Sequence, residues 1–190
     1  MAEKISQLPL NEQSVVALFS AHTEAETAIK KLQKAGCDMK KLSIIGKDYY
    51  AEEHVVGYYN TGNRMGYWGK LGVFWGGFLG LLFGSAFLVV PGIGPIVVGG
   101  PIVGWIIGAL EGAVVVGGIS AIGAALFSIG IPKDSILKYE NSLKANKFLV
   151  IVSGGSGEIT KARDILQSSN SIETNVHLAA DKQAEALRIK

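Results

Sequence analysis

Cysteine is all but missing from this 190-residue chain: Cys37 stands alone, so no internal disulfide can form. A solitary cysteine fits a reducing compartment, where its usual use is as a small packed hydrophobe. Histidine is scarce as well, with three in the chain, and no His/Cys/carboxylate grouping has the spacing of a metal centre. No metal, cofactor or catalytic residue is therefore expected. Charge of one sign is lacking too. Lys and Arg outnumber Asp and Glu by only 18 to 16, and no basic cluster interleaves with aromatics, which argues against a nucleic-acid surface. The first 13 residues are polar and hold no apolar run of the kind that makes a signal peptide.

What is present is unevenly placed. The mean hydropathy is +0.32 although 18% of residues are charged, so the two must be separated along the chain. Between Met65 and Lys133 the only charged residues are Lys70 and Glu111, and 18 of the 25 glycines fall in that stretch. The composition divides the chain into residues 1–65 and 132–178, two halves of one α/β domain. Between them lies a glycine-rich apolar insert, 66–131, and a polar tail, 179–190, follows.

The flanks carry readable periodicity. Residues 14–20 (SVVALFS) and 42–46 (LSIIG) read as strands, with a helix between them on Ala25, Ala28, Ile29, Leu32 and Ala35. Thr23 is a candidate cap for that helix and Gly36 its stop. After the insert come a helix over 132–145, a strand over 148–153, a helix over 158–168 and a strand over 174–178. Without the insert, this order is that of an α+β, ferredoxin-like split βαβ–βαβ sandwich, one antiparallel sheet covered by two helices. The insert then sits between strands two and three, whose ends are neighbours in space.

The insert predicts a long glycine-rich α-helical hydrophobic hairpin. Residues 71–90 are uncharged and about long enough to cross a bilayer core. Pro91, Gly92, Gly94 and Pro95 supply the hairpin turn, and residues 96–131 hold a second apolar arm interrupted only by Glu111. Gly72, Gly76, Gly80 and Gly84 fall at i+4 steps, as do Gly100, Gly104, Gly108 and Gly112. Such ladders line one helix face and let backbones approach closely, as in helix packing and oligomerisation within lipid. Because both flanks must meet in one sheet, the number of crossings is even, and two are expected. Arg64, Lys70 and Lys133 flank the outer ends, which places both termini in the cytoplasm and the insert in the cytoplasmic membrane. Burial of the hairpin inside a soluble homo-oligomer is the alternative.

Few residues offer chemistry. Glu111, an acid in an apolar segment, is a candidate intramembrane polar site, and through it the chain reads alternatively as a small oligomeric channel or transporter-like protein. Glu52, Glu53 and His54 are consecutive and read as a solvated loop rather than ligands. His22 and His177 lie near strand ends with no Ser or Cys partner identifiable from spacing. The loop Gly154-Gly155-Ser156-Gly157 lies between a strand and a helix, where amides can hold an anion. It lacks the GK[ST] ending of a phosphate loop, since Thr160-Lys161 is inverted, so a helix cap is the preferred reading.

Three stretches resemble a bacterial family of small general-stress-protein-like proteins. One runs from Val15 through Ala35-Gly36-Cys37-Asp38-Met39-Lys40-Lys41-Leu42-Ser43-Ile44-Ile45-Gly46-Lys47. The second is Val90-Pro91-Gly92-Ile93-Gly94-Pro95 with Gly99-Gly100-Pro101. The third is Gly130-Ile131-Pro132-Lys133, Tyr139-Glu140 and Lys147-Phe148-Leu149-Val150-Ile151-Val152. Cys37 departs from the phenylalanine usual at its place. The resemblance implies a stress-associated protein with a split α/β domain and a hydrophobic insert, and no catalytic residues. The resulting expectation is a non-enzymatic, membrane-associated, self-assembling stress-response protein, with membrane lipid and further copies of itself as partners. A ligand-sensing module is a further alternative, on fold analogy alone.

Overall fold

The computed structural model describes residues 13–47, 85–111 and 120–178. Six strands and five helices make an α+β fold. They run β1 (Gln13–Phe19), α1 (His22–Lys34), β2 (Leu42–Lys47), β3 (Ser85–Val90), β4 (Gly94–Gly99), α2 (Ile102–Glu111), α3 (Ala121–Ser128), α4 (Lys133–Lys144), β5 (Phe148–Gly154), α5 (Ser156–Gln167) and β6 (Glu173–Leu178). A single 3-10 turn, Met39–Lys41, leads into β2. All strands join one sheet in the order β3-β4-β2-β5-β1-β6, with every neighbouring pair antiparallel.

Each flank element forms for a local reason. Strand β1 is buried along nearly its whole length because Val15 to Phe19 face packed layers on both sides of the sheet. Helix α1 starts two residues earlier than Thr23 suggests: Ala21 is its N-cap residue, and the Glu24 carboxylate accepts the Ala21 and Ser20 amides at 3.2 and 3.1 Å. Its other end is a Schellman motif. Gly36, at φ +76°, donates to the Gln33 carbonyl and Cys37 to that of Leu32. The same device ends α3 at Gly130 and α4 at Asn146, where the amides of Ile131 and Lys147 reach back to Leu126 and Ser142.

Two cores lie on opposite faces of the sheet. One joins Val15, Ala17, Phe19, Leu42, Ile44 and Val150 to the inner residues of α1 and α5. The other joins Val16, Leu18, Ile45, Leu149 and Ile151 to α2, α3 and α4. The sheet is thus covered on both faces, by two helices on one side and three on the other, where the sequence suggests a sheet covered by two helices. The second cover comes mainly from the insert, whose apolar side chains find protein partners here.

The insert departs from a helical hairpin in three ways. Residues 85–90 and 94–99 are strands, paired so that Phe87 faces Val97 and Val89 faces Pro95. Their run of β-branched and aromatic residues suits a pleated surface, and two prolines within five positions deny a helix its hydrogen bonds. The turn is Pro91-Gly92-Ile93, while Gly94 and Pro95 open β4. Gly100 is not on a helix face. At φ +90° it lets β4 turn into α2, and a Cβ there would lie 2.1 Å from the Leu42 carbonyl oxygen. The second arm, expected to hold an apolar helical span, is a strand followed by helices of 10 and 8 residues among the described residues. No helix among the described residues is long and apolar enough to cross a membrane.

Candidate functional site

A buried polar cluster lies between α4 and β6. Tyr139, on α4 and fully buried, shares a 2.8 Å hydrogen bond with Nε2 of His177 on β6, and the rings meet edge to face. Asn175, two residues along the same strand face, donates to the Tyr139 hydroxyl at 3.4 Å and to the Glu173 carboxylate at 2.6 Å. Lys138 closes the chain by pairing with Glu173. Next to His177 in the register, Ser14 shares a hydrogen bond of 3.1 Å with Ser153. Burial holds the His177 imidazole below its ordinary value and pushes the Tyr139 phenol above its own, the latter opposed by the Asn175 hydrogen bond. Lys138 and then Asn175 hold the Glu173 carboxyl below its usual range.

This constellation runs from the buried Tyr139–His177 pair through Asn175 to the partly exposed Glu173–Lys138 ion pair. A tyrosine with no exposed surface gives a substrate no approach, and His177 is only 8% exposed. Its physical role is to satisfy polar atoms that the end of the sheet brings under α4. Spacing alone could not reveal it, because Tyr139 and His177 are 38 residues apart.

Glu140, a buried acid on α4, accepts a hydrogen bond of 2.5 Å from the Ser120 hydroxyl. Ser120 is the N-cap of α3 and accepts the Gly123 amide at 3.1 Å, so Glu140 anchors that cap from the neighbouring helix. The signal was its position: Glu140 falls four residues after Ile136, on the apolar stripe of α4. Ser43 plays a similar part on β2, where its buried hydroxyl accepts the Ile102 amide at the start of α2.

The loop between β5 and α5 already holds an anion, and it is internal. The Glu158 carboxylate folds back onto the Gly155 amide at 3.0 Å and pairs with Lys41 at 2.9 Å. Lys41 and then the Gly155 amide keep its carboxyl below the usual range. A Cβ on Gly154 would meet that carboxylate at 2.6 Å. The loop is therefore the helix cap the sequence suggests, with the helix beginning at Ser156. Cys37 is half-buried, and desolvation pushes its thiol above the ordinary value, against the Lys161 ammonium. His22 packs edge-on to Phe148 at 6.2 Å. Among the described residues, no group of three or more His, Cys, Asp or Glu could hold a metal ion.

Of the two glycine ladders, Gly104 and Gly108 lie on α2 as expected, with open space where a Cβ would stand. Trp105 beside them is 38% exposed. Glu111 is the last residue of α2. Gly72, Gly76, Gly80, Gly84 and Gly112 lie outside the described residues, as do Glu52, Glu53, His54 and the tail 179–190. Among the described residues of the insert, further outward apolar surface lies on β3, where Phe87 and Val89 are 57% and 67% exposed, and at Phe127 on α3. No protein-family model matches the chain, and no curated protein gives a significant match to its sequence.

Proposed function

We propose that this chain is a non-enzymatic, self-assembling protein of bacterial stress physiology, built on a ferredoxin-like domain with the glycine-rich insert as its assembly element. The fold part of this reading is supported by the strand order β6-β1-β5-β2, with α1 and α5 together on one face; split βαβ pairs have that arrangement. The assembly part is carried by the outward side of α2. Gly104 and Gly108 leave open space beside the exposed Trp105 ring, a surface that a second helix backbone can approach closely. The stress assignment rests on the residues quoted from the three resembling stretches. The test replaces Gly104 and Gly108 with leucine in the full chain and measures mass by light scattering. A fall in assembly mass is expected; an unchanged mass overturns the reading.

A second reading, association with membrane lipid from the cytoplasmic side, is favoured by the charge-free residues 71–90, which end in the outward Phe87 and Val89. Purified full-length chain should float with vesicles of bacterial lipid in a density gradient. Full recovery below the vesicles removes this reading.

A further inference from the structure

The two edges of the sheet are unlike. Edge strand β6 carries Glu173, Asn175 and His177, tied into the polar relay under α4. Edge strand β3 (SAFLVV) has no charge, proline or positive-φ residue, which are the usual means of blunting an edge. Among the described residues nothing pairs beyond it. Alternate residues of such a strand turn an amide and a carbonyl outward together. One face is equally open among the described residues. Phe19, Phe148, Gly46, Val97 and Phe87 form one row across five strands, and α1 and α5 cover it only at the Phe19–Phe148 end.

We infer that β3 pairs antiparallel with β3 of a second copy, continuing the sheet from six strands to twelve. The inference rests on the self-assembly reading above and names a different surface for it. An antiparallel edge is its own complement: a two-fold axis normal to the sheet sets the donors of one copy against the acceptors of the other. That axis preserves the two faces of the sheet, so paired residue numbers must sum to an even value. With the axis at Leu88, Phe87 lies opposite Val89 of the second copy on both sides, giving two aromatic–β-branched pairs on the face left open. A strand of this length reaches about 20 Å. Its strip falls short of the ~800 Å² per partner of a standard interface, so the pairing depends on concentration.

The test uses the full chain across a concentration series. Val89→Lys places a charge on a side chain already two-thirds exposed, so the fold is retained while the edge is guarded. Sedimentation should show the mass of the assembling species halved. In Cys37→Ser background, Leu88→Cys should give a disulfide-linked pair under mild oxidant, since the Cα separation across the axis suits a disulfide. Trp105→Cys in the same background should not match its rate. If Val89→Lys keeps the parent mass while Gly104→Leu/Gly108→Leu loses it, edge pairing is overturned and α2 carries assembly alone. A wild-type chain that stays monomeric throughout overturns both.

Discussion

At the scale of single residues, Gly100 is the position least open to change. Its φ of +90° is strained for any other residue, and the Leu42 carbonyl occupies the space of a Cβ. Gly100→Ala should lose about 2–4 kcal/mol in urea unfolding, because strain and overpacking act at one place. Gly104→Ala, where a Cβ meets nothing, should be neutral or slightly stabilising by the same assay. His177 sets a pH dependence. Its folded value is lowered by burial, so between that value and the ordinary one near about 6.5 the unfolded chain binds a proton that the native chain does not. Stability is therefore fully present above that range and falls as pH drops through it. In His177→Gln this slope should be missing from denaturation midpoints measured between about pH 7 and pH 5. The lowered carboxyls of Glu24, Glu158 and Glu173 add a further loss at lower pH, as they are protonated.

At the scale of elements, caps supplied from elsewhere in the chain recur. Ser43 reaches from β2 to the first amide of α2, and Glu140 from α4 to the cap of α3. Ser43→Ala leaves the Ile102 amide buried without that acceptor and should lose about 1–2 kcal/mol of stability by urea titration. The flank elements were legible because each shows one clear period. Ala25, Ala28, Ile29 and Leu32 repeat as a helix must, and residues 148–153 are too short and too β-branched for anything but a strand. Strand and helix cannot be separated that way in the insert. Residues 85–90 and 102–107 are both uncharged and almost wholly apolar, and only the first is a strand. The i+4 spacing of Gly100, Gly104 and Gly108 suggested one helix face, yet Gly100 owes its place to the Leu42 carbonyl, a contact 58 positions away. The buried polar pairs were hidden for the same reason: Ser43–Ile102 and Tyr139–His177 exist only once the sheet is ordered.

At the scale of the whole molecule, the insert is a structural layer. Ile96, Val98, Ile102, Ile106, Ile122 and Leu126 cover the sheet face that also buries Val16, Leu18 and Ile45. Replacing residues 48–131 with a short linker keeps all four flank strands and both helices of the other face. It also bares that core, at about 25 cal/mol for each Å² of apolar surface returned to water. The shortened chain should lose cooperative thermal unfolding and bind an environment-sensitive apolar dye. A sharp, reversible transition would show that the flanks are sufficient by themselves.

The strand order has a consequence for biosynthesis. Both neighbours of β1, namely β5 and β6, lie in the last third of the chain, and β2 meets β5 only across a hundred residues of intervening sequence. A ribosome releasing this chain from its amino end presents β1 and β2 long before the strand that separates them exists. Those two buried strands then wait, unpaired with each other, until residues 148–178 emerge. Non-local pairing of this kind slows folding and prolongs the exposure of apolar strands. The order of the sheet thus delays completion of the β1 and β5 core until the last third of the chain is made.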